Sequence, residues 1–428
     1  MREAFSSLTT RGLSFFAAGV VCAIAGLVLG HEDLFRISVL LIALPVTAVL
    51  LLSRSRYRLA STRSVTPARI EAGQSANVTL TVENVSRIPT GVMFLEESLP
   101  YALGGRPRFI IDRLLPSTSR QVTYPVRSEN RGRFRVGPLT IRLSDPLGLC
   151  ELVRAFNSTD TVLVTPQIVP LAPVRIAGSW NGGGDGRSRS VASSGDDDVA
   201  TREYRRGDDL RRVHWRSTAR AGELMVRREE QPWHSQAAVM LDNRANAHRG
   251  EGANSSFEFA VSAAASVGMH LLRQTYQVHL ACGMGPTGAE PVIVEQVDER
   301  VLLDRCAEVQ TSPETSLLHM TERLGTQDQL IVAVLGVMSR DDALQLARLR
   351  RRAVCVAILI DAASWGGMST RERTAANADT AATALLLYQS GWRVIRVDRN
   401  TTLADAWSGL NDIGAMDIAT ATAAGGGR

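Results

Sequence analysis

The side chains with the greatest chemical potential are crowded into one stretch, Arg202-Glu203-Tyr204-Arg205-Arg206-Gly207-Asp208-Asp209-Leu210-Arg211-Arg212-Val213-His214-Trp215-Arg216-Ser217-Thr218-Ala219-Arg220-Ala221-Gly222. Nine arginines fall between residues 202 and 228, a density unlike the rest of the chain. Guanidinium groups bind carboxylates and phosphates through paired hydrogen bonds, so such a run suits ion pairing or anion recognition. His214 is the natural general base of the stretch, but a base needs an orienting acid and a nucleophile within reach. Asp209 stands more than a helical turn before it and Ser217 three residues after it, so a buried, hydrogen-bonded histidine beside Trp215 fits better than a catalytic one.

An element must position these groups. Asp208 or Asp209 can cap a helix that ends at Gly222, where a left-handed residue closes the last turn. In that helix Leu210, Val213 and Ser217 share a face, and Arg212, Arg216 and Arg220 stack at four-residue intervals on another. Like charges so spaced repel, so they require acidic or anionic partners. Three readings stay open: an internal ion-pair lattice joining domains, a docking surface for protein or phosphate, and a nucleic-acid site. The last is disfavoured, because one histidine and one tryptophan make a thin stacking platform.

The remaining chemistry is bounded by exclusion. All 48 basic residues of the 428 are arginine, and with no lysine there is neither a P-loop lysine nor a Schiff base. The net charge of +5 is modest for this length. Cys22, Cys150, Cys282, Cys306 and Cys355 show no metal-ligand spacing and suit a reducing compartment. Asp196-Asp197-Asp198 lacks the spacing of a calcium loop and reads as solvated. No catalytic residue and no cofactor is predicted.

Leu13–Gly30 and Ile37–Leu52 carry no charge and are separated by six residues, which predicts a transmembrane hairpin crossing the bilayer within residues 13–53. Arg2 and Arg11 precede it and Arg54, Arg56 and Arg58 follow it, so the positive-inside rule places the soluble part in the cytoplasm. Residues 1–56 are thus a multi-pass anchor. Residues 57–171 alternate apolar and polar in short runs, such as 77–84, 119–126 and 140–143, and predict an immunoglobulin-like all-β sandwich. Residues 172–200 read as a flexible linker, 201–235 as the arginine-rich segment and 414–428 as a disordered tail. In 236–413, strands at 237–241, 277–282, 329–335, 354–360 and 393–397 alternate with helical patterns, which predicts a doubly wound α/β domain.

The segment 202–220, with Gly222-Glu223-Leu224-Met225-Val226-Arg227, resembles the signature of the bacterial family known as domain of unknown function fifty-eight. Arg131-Gly132-Arg133-Phe134 and Asp145-Pro146-Leu147-Gly148-Leu149 support the resemblance. It implies a membrane protein whose C-terminal domain is of von Willebrand factor A type. Its implied company is a MoxR-type AAA+ ATPase and a membrane transglutaminase-like protein. The signature residues that it singles out are Arg202, Glu203, Tyr204, Arg206, Gly207, Asp208, Arg212, His214, Trp215, Arg216 and Arg220. Metal-binding members of the von Willebrand A fold carry hard oxygen ligands at alternate positions after the first strand. Here that place reads Asp242-Asn243-Arg244-Ala245-Asn246, so only Asp242 and Asn246 offer oxygens and Arg244 puts a cation between them. A degenerate, metal-free site is predicted. The resulting expectation is an adaptor or assembly factor, against two alternatives: a hydrolase using His214 and neighbouring acids, and a protein that binds anionic lipid.

Overall fold

A computed structural model describes residues 8–54, 58–145, 147–174, 201–204, 213, 215–227, 236–283, 293–294, 297–322, 324, 328–351 and 353–411. The two apolar runs form helices α1 (Thr10–Leu29) and α2 (Glu32–Arg54), packed antiparallel. Leu34 and Phe35 extend the second run, as its length requires. Both helices are long and apolar enough to cross a membrane by length and composition, and most of their surface is exposed.

Period-two alternation then gives ten strands: β1 (Leu59–Thr66), β2 (Arg69–Glu71), β3 (Ser75–Asn84), β4 (Met93–Glu97), β5 (Arg108–Ile111), β6 (Ser119–Arg127), β7 (Gly132–Val136), β8 (Leu139–Ser144), β9 (Glu151–Phe156) and β10 (Asp160–Thr165). They form sheets ordered β1-β3-β6, β5-β4-β8-β9 and β2-β10-β7. In β3, Ala76, Val78, Leu80 and Val82 point inward. Leu80 and Val82 meet Met93, Leu95, Ile141 and Leu143 of the facing sheet, and Ala76 and Val78 meet Ile70, Val136 and Val162. Each such side chain contributes about 1.5–3 kcal/mol by leaving water. This is a β-sandwich.

The signature region adds β11 (Thr201–Glu203), α3 (Trp215–Ala221) and β12 (Met225–Arg227). The α/β unit follows with β13 (Gln236–Leu241), α4 (Ser256–Arg273), β14 (Gln277–Cys282), β15 (Ile293–Val294), α5 (Glu299–Glu308), α6 (Leu318–Glu322), β16 (Leu330–Leu335), α7 (Arg340–Leu349), β17 (Val354–Ile360), α8 (Thr370–Gln389), β18 (Arg393–Val397) and α9 (Leu403–Ser408). Its sheet runs β15-β14-β13-β16-β17-β18, parallel except for the edge strand β15. Strand residues are apolar on both faces, because both are covered. Val239 and Leu241 pack with Phe257, Leu302 and Trp407 of α4, α5 and α9, while Ala238 and Met240 pack on the face that holds Leu346 and Leu387 of α7 and α8.

The start of the expected linker is packed, and 175–200 lie outside the described residues. Val174 is buried in the α/β core, and Trp407 Nε1 donates to the Ala172 carbonyl at 3.0 Å. Ala172 and Val174 of the expected linker therefore gain partners that local composition does not reveal.

Candidate functional site

Two places hold the chemistry that the sequence singles out. The first is the crevice at the carboxyl edge of the α/β sheet. β13 is the first strand in sequence and central in space, with β14 on one side and β16 on the other. The sheet reverses its winding there, which is where open α/β sheets bind ligands. Asp242, directly after β13, points into the crevice and is fully buried.

Arg244 fills that crevice. Its Nε donates to Asp242 Oδ1 at 2.9 Å and one Nη2 proton to Asp242 Oδ2 at 2.8 Å, a bidentate pair. Nη1 donates to Asp342 Oδ2 at 3.0 Å and to the Thr315 carbonyl at 3.1 Å, and Nη2 also reaches the Val337 carbonyl at 3.2 Å. A guanidinium has five N–H donors, and all five are used. Asp242 is equally committed, since Oδ1 also accepts the Arg244 N–H and Oδ2 the Gly336 N–H. Asn246, the other oxygen expected here, is exposed on the short 3-10 turn Ala245–Ala247.

Burial disfavours the Arg244 charge, but the hydrogen bonds and charge of Asp242, with those of Asp342, outweigh it and raise its pKa. Burial pushes the Asp342 carboxyl up. The Leu317 N–H, the Ser339 hydroxyl and Arg244 outweigh that push and hold it below its ordinary range. Asp342 is also the third residue of a capping box closed by Ser339 at the start of α7, so one carboxylate ties the helix to the crevice. The sequence reading passed over Asp342; its one local signal is the Ser339-Arg340-Asp341-Asp342 spacing.

His248 completes the floor. Its Nε2 donates to the Asp242 carbonyl at 2.7 Å, which makes Nδ1 the acceptor from the Ser256 hydroxyl at 3.2 Å. Burial lowers its pKa, so the ring is neutral. This serine–histidine pair is sealed from solvent, with Ser256 wholly buried, and Ser256 Oγ also accepts the Arg249 N–H. It is a structural pair.

The second place is the signature. β11 pairs antiparallel with β12, Arg202 opposite Val226, and Tyr204 N–H donates to the Leu224 carbonyl. Val213 also bridges to Val226. The helix expected from Asp208 or Asp209 through to Gly222 is therefore corrected at Val213, which is a bridge residue; among the described residues of the segment the helix is Trp215–Ala221. The competition is won by the apolar Val213–Val226 pairing, which a helix pattern does not register. Its stop was legible, since Gly222 has φ +76° and its N–H donates to the Thr218 carbonyl. Thr218 Oγ1 accepts from Met225 N–H and ties α3 to β12. Trp215 is 71 % exposed, and Glu203, Arg216 and Arg220 are exposed with it. Arg206, Gly207, Asp208, Arg212 and His214 lie outside the described residues.

A lattice of arginine pairs joins two units, and Arg69, Arg131 and Arg133 build it among the described residues. Arg131 Nε lies 3.2 Å from Glu258, its guanidinium covers the Phe257 ring at 5.1 Å, and Nη2 donates to the Val309 carbonyl at 2.7 Å. Arg133 pairs with Glu308 at 2.6 Å and Arg69 with Asp304 at 2.8 Å. These contacts clamp the sandwich to α4 and α5.

Comparison with known proteins falls on the same region. Residues 200–296 match the model of the family described as Protein of unknown function DUF58. The matched stretch contains both the exposed signature and the Asp242–Arg244 pair. The Uncharacterized protein YeaD of Bacillus subtilis (strain 168) is 26% identical over 212 residues, 48% of this chain and 51% of that protein. The chain thus spans about half the length of that relative. Among solved structures, the CARDB domain of the PF1109 protein from Pyrococcus furiosus is 16% identical, with 25% of this chain and 91% of that chain covered and a TM-score of 0.19. Native alpha-2-macroglobulin from Escherichia coli, MG7 to the C-terminus, is also 16% identical, with coverage of 26% and 17% and a TM-score of 0.22. The β-sandwich rests on its own sheets and cores rather than on these alignments.

Proposed function

We propose that the chain is a membrane-anchored adaptor or assembly factor whose exposed signature docks a protein partner at the cytoplasmic face. α1 and α2 are the anchor, the arginines that flank them set the orientation, and the α/β unit is of von Willebrand factor A type. The observation that carries this reading is the state of the crevice. Where a ligand or metal-dependent contact would form, Arg244 has consumed both oxygens of Asp242 and every one of its own donors. At the surface, the signature presents Trp215 among the exposed charges of Glu203, Arg216 and Arg220. Exposed tryptophan and arginine are the side chains from which protein interfaces draw most of their energy.

The partner we propose is a MoxR-type AAA+ ATPase, with a membrane transglutaminase-like protein in the same assembly. The rival hydrolase reading gains nothing from His248 and Ser256, which no substrate reaches. The test is a photocrosslinking residue placed at Trp215 in the full chain in its native membrane. An adduct identified as an AAA+ ATPase supports the reading, and its absence from crosslinked products counts against it.

A further inference from the structure

One end of the sandwich is unlike the other. β1 begins, β3 ends, β4 begins, β5 ends, β6 begins, β8 ends and β9 begins at the same end, because Leu59 pairs with Asn84, Glu83 with Ser119, Met93 with both Ile111 and Leu143, and Ser144 with Glu151. The loops 85–92 and 112–118 and the turn after β8 therefore form a single surface. Hydrogen bonds bind the first two together: Thr90 N–H donates to the Leu114 carbonyl and Ser117 N–H to the Asn84 carbonyl.

That surface is apolar at its tips. The described residues of the sandwich include nine exposed large apolar ones, and five of them, Val85, Ile88, Val92, Leu115 and Leu147, stand on these loops. The opposite end exposes Tyr101 alone. Scattered apolar residues are ordinary on a surface, but a cluster at one pole marks a contact. Exposed arginines surround it: Arg11, Arg58, Arg87 and Arg113. The acids at this pole are Glu83 and Asp112, with Glu151 drawn to Arg142 and Asp145 bonded to the Leu147 and Cys150 N–H groups.

The hairpin fixes what lies against the pole. Leu149, Cys150 and Leu152 pack on Leu44, Ala48 and Val49, inside the apolar run of α2 rather than beyond its end. Ala48 is six residues short of Arg54, or about 9 Å along the helix. Thr9, which caps α1, donates its hydroxyl to the Gly148 carbonyl at 2.7 Å, and a Cβ on Gly12 would sit 2.1 Å from the Leu149 oxygen. The loop surface is thus held level with helix residues that a bilayer must cover.

We propose that this pole is a lipid-seating surface, with Ile88, Leu115 and Leu147 in the interface of the bilayer spanned by the hairpin and the arginines on its anionic headgroups. The proposal rests on the hairpin being a membrane anchor. Amphipathic surfaces bind bilayers through such paired apolar and cationic contacts.

The test uses the full chain in phosphatidylcholine vesicles with phosphatidylglycerol, one set with a nitroxide just below the headgroup and one with it deep in the acyl chain. Cys22 is the one half-exposed cysteine and the other four are buried. A fluorophore is placed on Cys22, or on Leu115→Cys or Tyr101→Cys in a Cys22→Ser chain. The expected result is loss of emission at 115 with the shallow nitroxide, comparable to the loss at 22 with the deep one, and none at 101. Quenching at 22 without quenching at 115 overturns the seating surface and leaves the anchor standing. No quenching at 22 overturns the anchor and the proposal with it. Quenching at 101 as well as 115 also overturns it, because the sandwich would then lie flat.

Discussion

Arg244 occupies the position where the fold would hold a ligand, and its side chain is 2 % exposed. A cation tethered there by a covalent bond does at all times what a bound ion does only when present: it neutralises Asp242 and draws in Asp342. Removing it leaves two carboxylates facing each other without compensation. We expect Arg244→Ala to lower stability by about 3–5 kcal/mol, the usual cost of breaking a buried pair, measured by denaturant unfolding. The same cluster sets an acid limit. Asp342 is held below its unfolded value, so the native state favours its ionised form. Its contribution is complete above about pH 4 and is lost as pH falls through the depressed native value. His248, also held below its ordinary value, acts in the same direction, because the unfolded chain gains a proton near pH 6.5 that the native ring refuses. Unfolding followed from pH 7 downward should therefore show stability falling in two stages, and Asp342→Asn should weaken the lower one.

At the scale of elements, Arg131 is the side chain on which two units converge. It opens the connection into β7, and its contacts are the Phe257 ring, Glu258 and the Val309 carbonyl of the α4–α5 layer. Burial lowers its pKa against the pull of Glu258, and burial raises Glu258 against the pull of Arg131. Arg131→Ala should uncouple the units, splitting one calorimetric transition into two, whereas Arg133→Ala, whose pair is exposed, should change little. Much of this element layout was legible in the sequence. The apolar runs, the alternation in 77–84 and 119–126, and the strands at 277–282, 354–360 and 393–397 fall where they were read, because period and length depend on local pattern alone. The signature helix was overextended because Val213 pairs with Val226, a contact that local pattern does not encode. The clamp was missed for the same reason: Arg131 and Glu258 are brought together only by folding.

Across the whole molecule these contacts stack three bodies in line. The hairpin holds one pole of the sandwich through Thr9, Gly12 and Leu149, and the other pole grips α4 and α5 through Arg131. β3, with ten residues, makes the sandwich roughly 33 Å long, a spacer between the helical hairpin and the α/β unit. The signature follows this spacer in the chain, and Glu203, Trp215, Arg216 and Arg220 within it are exposed. Our central claim is that Trp215 and Arg220 make an interface rather than a fold. Surface substitutions away from buried partners usually change stability by less than about 0.5 kcal/mol, while loss of an interface anchor costs about 2 kcal/mol or more of binding. The direct measurement is capture of the MoxR-type ATPase by the detergent-solubilised full chain, comparing wild type with Trp215→Ala and Arg220→Ala, each checked by a melt. We predict unchanged melts and at least a tenfold loss of capture, which corresponds to about 1.4 kcal/mol. Undiminished capture by both variants, or loss of folding in both, would contradict the claim.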